Sequence, residues 1–182
     1  MRLQLCASLT LCAFLLIRPC AQVEGHPSRS VKALEMTVLA DRIVLRVSYR
    51  VSEPRFTADL RERFDRDADG ALGAAERAAL ETYVRRLALE DLRVRLDGRE
   101  LVPSIVLEAA SGLERALPSA YPLDFSWKLE FRLAAGNVIE LADREARWNT
   151  PFQCRVVERP GAVRVFDFPR GSGSFRIERS HG

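Results

Sequence analysis

The sequence predicts a mainly β fold, in which an antiparallel β-sandwich contains a pair of inserted helices. Two observations lead to this prediction. Apolar and polar residues alternate over many short segments separated by turn residues, a pattern typical of half-buried strands. Within residues 57–89, this alternation changes to the three- and four-residue spacing of helices. Many short strands at close spacing favour two packed sheets of the Ig-like type, with the helices as an insertion.

The first predicted element is a β-hairpin. Residues 33–51 place apolar side chains at every second position on both sides of a turn near Asp41. Pro54 follows and is predicted to end the strand region, since proline lacks the N–H that a ladder needs. We therefore expect two strands that each bury one face.

Two helices are predicted on either side of an acidic segment. The first contains Phe56, Leu60 and Phe64 at four-residue spacing, with Thr57 as its N-cap. It is predicted to end at Phe64. The second is predicted to run to about Leu89, because its apolar residues make a single stripe.

The remaining segments predict strands again. Asp97-Gly98 lies between the apolar runs 92–96 and 101–107 and predicts a tight hairpin turn. The clearest strand includes Trp127, whose position on the alternating apolar face predicts a buried side chain. Asp143, in contrast, is expected in a solvated loop. The clearest strand is residues 123–133, and the further predicted strands are residues 138–141, 152–157, 162–166 and 174–178.

The first 25 residues predict a secretory signal peptide. An apolar run at residues 11–17 follows Arg2 and is shorter than the roughly 20 residues that cross a bilayer. Removal near Gly25 would leave residues 26–182 as one exported domain, periplasmic or secreted, with no membrane span. Cys154 would then be the sole cysteine and is predicted to be a buried apolar residue without a disulfide.

Composition argues against several functions. The net charge is +3, and the basic residues are dispersed among acidic ones, which does not favour nucleic-acid binding. The sequence has two histidines, His26 and His181, both near the termini. A histidine-based zinc site or a Ser/His/Asp triad is therefore not expected, and we predict that the protein is not an enzyme.

The acidic segment has the features of a cation-binding loop. It reads D-R-D-A-D-G-A-L-G-A-A-E from Asp65 to Glu76. Calcium takes six to eight oxygen ligands at flexible distances, so a short loop must supply several carboxylates and a backbone carbonyl. Gly70 lies where the chain must turn sharply with positive φ. Leu72 is the apolar residue expected to hold the loop in place.

Residues 57–89 resemble the EF-hand family in this loop and its flanking helices. The resemblance implies one bound calcium ion, with ligands from Asp65, Asp67, Asp69, the Ala71 carbonyl and both oxygens of Glu76. EF-hands usually occur in pairs, and no second such loop is visible in the sequence. The options are a lone structural site or pairing between two chains.

The organisation of the chain is also similar to that of exported domains that precede bacterial nickel/cobalt or HupE-type transporters. The shared features are an early hairpin, the segment 65–76 and the later run Leu96-Asp97-Gly98-Arg99. This likeness implies a periplasmic accessory role in transition-metal uptake, with a membrane transporter or another exported protein as partner. The leading prediction is a non-enzymatic exported calcium-binding protein. The alternatives are this accessory role and a calcium-stabilised binding or adhesion module.

Overall fold

The computed structural model describes residues 30–114, 120–134, 136–144, 151–159, 162–169 and 173–179. The predicted signal peptide, residues 1–25, lies outside the described residues, as do His26 and His181. Neither of the two described helices is long and apolar enough to cross a membrane.

The described part of the chain consists mainly of strands. In chain order its elements are β1 (Ser30–Val38), β2 (Arg42–Val51), α1 (Pro54–Phe64), α2 (Ala74–Leu89), β3 (Leu92–Leu96), β4 (Arg99–Glu100), β5 (Ser104–Ser111), β6 (Leu123–Arg132), β7 (Val138–Asp143), β8 (Phe152–Arg159), β9 (Ala162–Phe168) and β10 (Gly173–Glu178). The two helices therefore lie between β2 and β3, as the sequence predicts.

The strands form two sheets. The larger sheet has six strands in the order β5-β6-β2-β1-β8-β9, and the smaller has four in the order β10-β7-β3-β4. The mainly β prediction is confirmed. Purely antiparallel pairing is wrong at one place, because β1 and β8 pair in parallel with Leu34 opposite Cys154. Alternation in a sequence reports which face of a strand is buried, and not the direction of its neighbour.

The first hairpin is confirmed, whereas the second is much shorter than expected. In the first, β1 and β2 pair along their length from Ser30 to Val51. At the second, Asp97 and Gly98 turn with φ of 47° and 80°, but β4 has only two residues. The predicted strand 101–107 is observed as β5, Ser104–Ser111, which pairs with β6 in the larger sheet. Pro103 directly precedes β5 and cannot donate to a ladder, which favours a break there.

Helix α1 begins three residues earlier than the predicted N-cap. Glu53 is the N-cap, and its carboxylate accepts hydrogen bonds from the backbone N–H groups of Arg55 and Phe56. Pro54 occupies the first turn, where its missing N–H costs nothing. Thr57 as N-cap is therefore wrong: its buried hydroxyl lies 3.2 Å from the Ala120 carbonyl oxygen.

The helix pair is attached to the larger sheet by apolar and polar contacts. Leu60, Leu80 and Val84 are buried in the same apolar cluster as side chains from both sheets. The buried Arg61 guanidinium donates a hydrogen bond to the Gly112 carbonyl oxygen at 2.7 Å, next to the end of β5. These contacts hold α1 and α2 in place, and so position the loop between them.

Candidate metal centre

The acidic loop connects the end of α1 to the start of α2. Within it, carboxylate oxygens of Asp65, Asp67 and Glu76 lie within 4.8 Å of one another. The structure therefore brings together three of the five predicted ligand residues. Asp69 and Ala71 are exposed neighbours on the same loop, where an Asp69 carboxylate oxygen accepts a hydrogen bond from the Ala71 N–H at 2.8 Å.

The loop backbone turns twice in the left-handed region. Gly70 has φ of 82°, as expected for the sharp turn, and its N–H donates to Asp65 Oδ2 at 3.1 Å. Ala68 has φ of 55°, an uncommon conformation for a residue with a Cβ. The sequence does not predict this conformation of Ala68, since nothing in an alanine indicates positive φ. Together these turns fold the loop around the Asp65 carboxylate.

Asp65 has one carboxylate oxygen without a hydrogen-bond partner. Its Oδ1 atom is buried and accepts no hydrogen bond, whereas Oδ2 accepts from Gly70. A buried charged oxygen without a partner is costly, because it has lost water and gained no donor. A cation beside Asp65, Asp67 and Glu76 would satisfy it. The orphan oxygen is the feature of this cluster that a bound cation would complete.

Glu76 closes the loop from the first turn of α2. Its Oε1 accepts from the Arg66 N–H at 2.5 Å and its Oε2 from the Gly73 N–H at 2.8 Å. Hydrogen bonds from these two backbone N–H groups lower the pKa of Glu76 below its ordinary value, because they stabilise the ionised form. The bond from Arg66 has the larger effect, followed by the bond from Gly73. The Glu76 side chain is therefore a carboxylate at neutral pH, and both of its oxygens contact the loop backbone.

Leu72 holds the loop against the protein. Its side chain is 1% exposed and belongs to the main apolar cluster. Its carbonyl oxygen accepts a hydrogen bond from Arg77 Nε at 2.6 Å, which ties the loop to α2. The expected role of Leu72 as the apolar contact of the loop agrees with this burial.

The donor set determines which ions suit the site. The cluster offers carboxylate oxygens alone, and hard cations such as Ca²⁺ and Mg²⁺ prefer such ligands. The chain matches no protein-family model. A search of curated proteins likewise finds no match.

Proposed function

We propose that residues 65–76 bind one calcium ion as an EF-hand loop, in an exported, non-enzymatic calcium-binding protein. The buried, unpartnered Oδ1 of Asp65 is the observation that most supports a cation here. The ligands are Asp65, Asp67, Asp69, the Ala71 carbonyl and Glu76. The proposed fold is an Ig-like β-sandwich with an EF-hand inserted at residues 57–89.

The charges of the loop give calcium a clear energetic effect. Four carboxylates, those of Asp65, Asp67, Asp69 and Glu76, lie on one short loop that also contains Arg66. Like charges at close range repel one another, and the repulsion is strongest where water is partly excluded. A divalent cation reverses this effect, so that the same carboxylates favour the folded loop.

We propose a structural role for the ion and not a sensory one. Helices α1 and α2 already bury Leu60, Leu80 and Val84 in the core, so opening the helix pair would expose apolar surface. Calcium would therefore hold the ends of the two helices together on the larger sheet. Ligand binding to the folded state alone adds about 2.7 kcal/mol of stability when the free ion is at 100 times its Kd.

Calorimetric titration of residues 26–182 with calcium tests the proposal. We expect one calcium ion per chain, weaker binding of magnesium, and a calcium-dependent rise in Tm. The double variant Asp65→Ala/Glu76→Ala should lose both effects. The matched control, Asp59→Ala/Glu62→Ala, removes two exposed carboxylates from α1 and should keep them.

Two outcomes would overturn separate parts of the proposal. If calcium gives no heat and no Tm change with the native chain, the loop is not a calcium site. If calcium binds but leaves Tm unchanged, the structural role is wrong. Export is tested separately by mass spectrometry of the protein from the extracytoplasmic fraction, where we expect a chain that begins near His26.

The two alternative functions differ in their support. An accessory role in transition-metal uptake predicts that nickel binds in the same titration, and the all-oxygen donor set makes this the weaker proposal. A calcium-stabilised binding or adhesion module is favoured by a specific observation, the exposed apolar edge of the larger sheet at β5. A transporter or another exported protein would be the partner.

A further inference from the structure

A groove lies beside α2, between this helix and β5. It has a volume of ≈ 840 Å³ and reaches from Phe64 at the end of α1 to Ile105 on β5. Small side chains of α2, among them Ala78 and Ala79, and the half-buried Leu89 line it. The lining is therefore largely apolar, and it ends at an open sheet edge.

The sheet edge at this groove is open and weakly protected. β5 is the last strand of the larger sheet and, in the part of the chain that the structure describes, pairs with β6 alone. Ile105, Val106 and Leu107 are 40%, 52% and 42% exposed. Edge strands are usually protected by charges, proline or bulges. Here Pro103 precedes the strand, and the irregularity and the charged Glu108 follow Leu107, so residues 104–107 themselves contain none of these features.

The rim of the groove has a positive charge. Among the described residues, Arg66, Arg85 and Arg86 line it together with the acidic Glu90. Arg85 also lies 3.9 Å from a carboxylate oxygen of Glu81, so the net charge of this region is positive but small. The Arg86 guanidinium lies over the Tyr83 ring, 5.9 Å from its centroid, and both residues line the groove. An occupant with acidic side chains at its ends and apolar side chains between them would complement both parts of this surface.

We propose that this groove binds an extended acidic segment of a partner protein, which adds to β5 as a further strand. Main-chain hydrogen bonds to the open edge would supply affinity, and the arginine rim would supply specificity. Pairing of β5 with β5 of a second copy fits less well, because two-fold symmetry would bring two arginine rims towards each other. The proposal does not depend on whether the acidic loop binds calcium.

The probe is a synthetic peptide, Glu-Thr-Val-Thr-Val-Thr-Glu, whose glutamates and valines share one strand face. Its charge-reversed control has lysine in place of both glutamates. In amide NMR titrations of residues 26–182, we expect the acidic peptide to shift resonances of residues 85–90 and 104–107. The lysine peptide should bind at least about tenfold more weakly.

Two further comparisons test strand addition and the rim. In a strand, the N–H groups of alternate residues point to the same edge, so N-methylation of alternate peptide residues blocks the donors of one edge only. Methylation of the residues whose N–H groups face β5 should abolish binding, and methylation of the other residues should not. Arg85→Glu/Arg86→Glu should weaken binding of the acidic peptide about tenfold. The control Arg99→Glu/Arg176→Glu, at two exposed positions of the smaller sheet, should not.

Several results would overturn the proposal. They are equal binding of the acidic and lysine peptides, resonance shifts confined to other surfaces, and equal effects of the two methylation patterns. Concentration-dependent dimerisation that Ile105→Lys abolishes, as measured by sedimentation equilibrium, would assign the edge to a second copy instead.

Discussion

Lys32 and Asp143 form a buried ion pair that joins the two sheets. Lys32 Nζ on β1 lies 2.5 Å from Asp143 Oδ2 on β7, and the side chains are 5% and 0% exposed. The expected solvated position of Asp143 is therefore wrong. The Lys32 ammonium also lies 5.7 Å from the centroid of the Phe152 ring. The pair places opposite charges where most of the surrounding side chains are apolar.

We predict that disrupting this pair on one side is more harmful than replacing both residues. Asp143→Asn should lower the free energy of unfolding by about 3–5 kcal/mol, because the Lys32 charge then remains buried beside a neutral amide. Lys32→Met/Asp143→Leu should cost less, because neither charge is buried any longer. Urea unfolding monitored by circular dichroism gives both values. A double variant less stable than Asp143→Asn would contradict this account.

Trp127 and Glu81 connect α2 to β6, the strand next to the β5 edge of the larger sheet. Trp127 Nε1 donates to Glu81 Oε1 at 2.7 Å, and the indole is fully buried. A double-mutant cycle with Trp127→Phe and Glu81→Met should give a coupling energy of about 1.5–3 kcal/mol, the range for a hydrogen bond to a charged group. Additive effects of the two substitutions would show that this bond does not stabilise the docked helix.

The left-handed conformation of Ala68 predicts a stabilising substitution in the metal-free protein. Ala68→Gly removes steric strain of about 1–2 kcal/mol and adds an entropy cost of about 0.5–1 kcal/mol, for a net gain of about 0.5–1 kcal/mol. Ala71→Gly is the matched control, since Ala71 is not among the positive-φ residues. It should only lose stability. Chemical unfolding in EDTA gives both values, and equal losses would show that Ala68 is unstrained.

Burial controls the reactivity of Cys154. Desolvation raises the pKa of its thiol from 9.0 to about 12, so the folded protein keeps the proton well above the pH at which the unfolded chain releases it. The contribution of this group to stability therefore decreases as pH rises from about 9 towards 12. Cys154→Ala should remove this decrease. Iodoacetamide at pH 8 should label residues 26–182 only after unfolding in urea; rapid labelling of the folded protein would contradict its burial.

Local sequence patterns predicted the helices and strands better than they predicted which strands pair with one another. The spacing of Phe56, Leu60 and Phe64 located the end of α1, and the alternation around Trp127 located β6 and its buried face. The error at Thr57 arose because Glu53, which is not one of the usual N-cap residue types, caps the helix, and Pro54 occupies its first turn. These features depend on neighbours within a few residues, so the sequence contains the information that they need.

The sequence by itself determined the two helices, the order of acidic residues in the loop and the alternating strands. Only the tertiary structure decided that β8 pairs in parallel with β1, that Asp143 meets Lys32, and that the Asp65 Oδ1 atom is buried without a donor. It also decided that β5 leaves an open edge beside α2. The physical reason is that spacing along a chain sets which faces are apolar, whereas burial and pairing depend on segments distant in sequence.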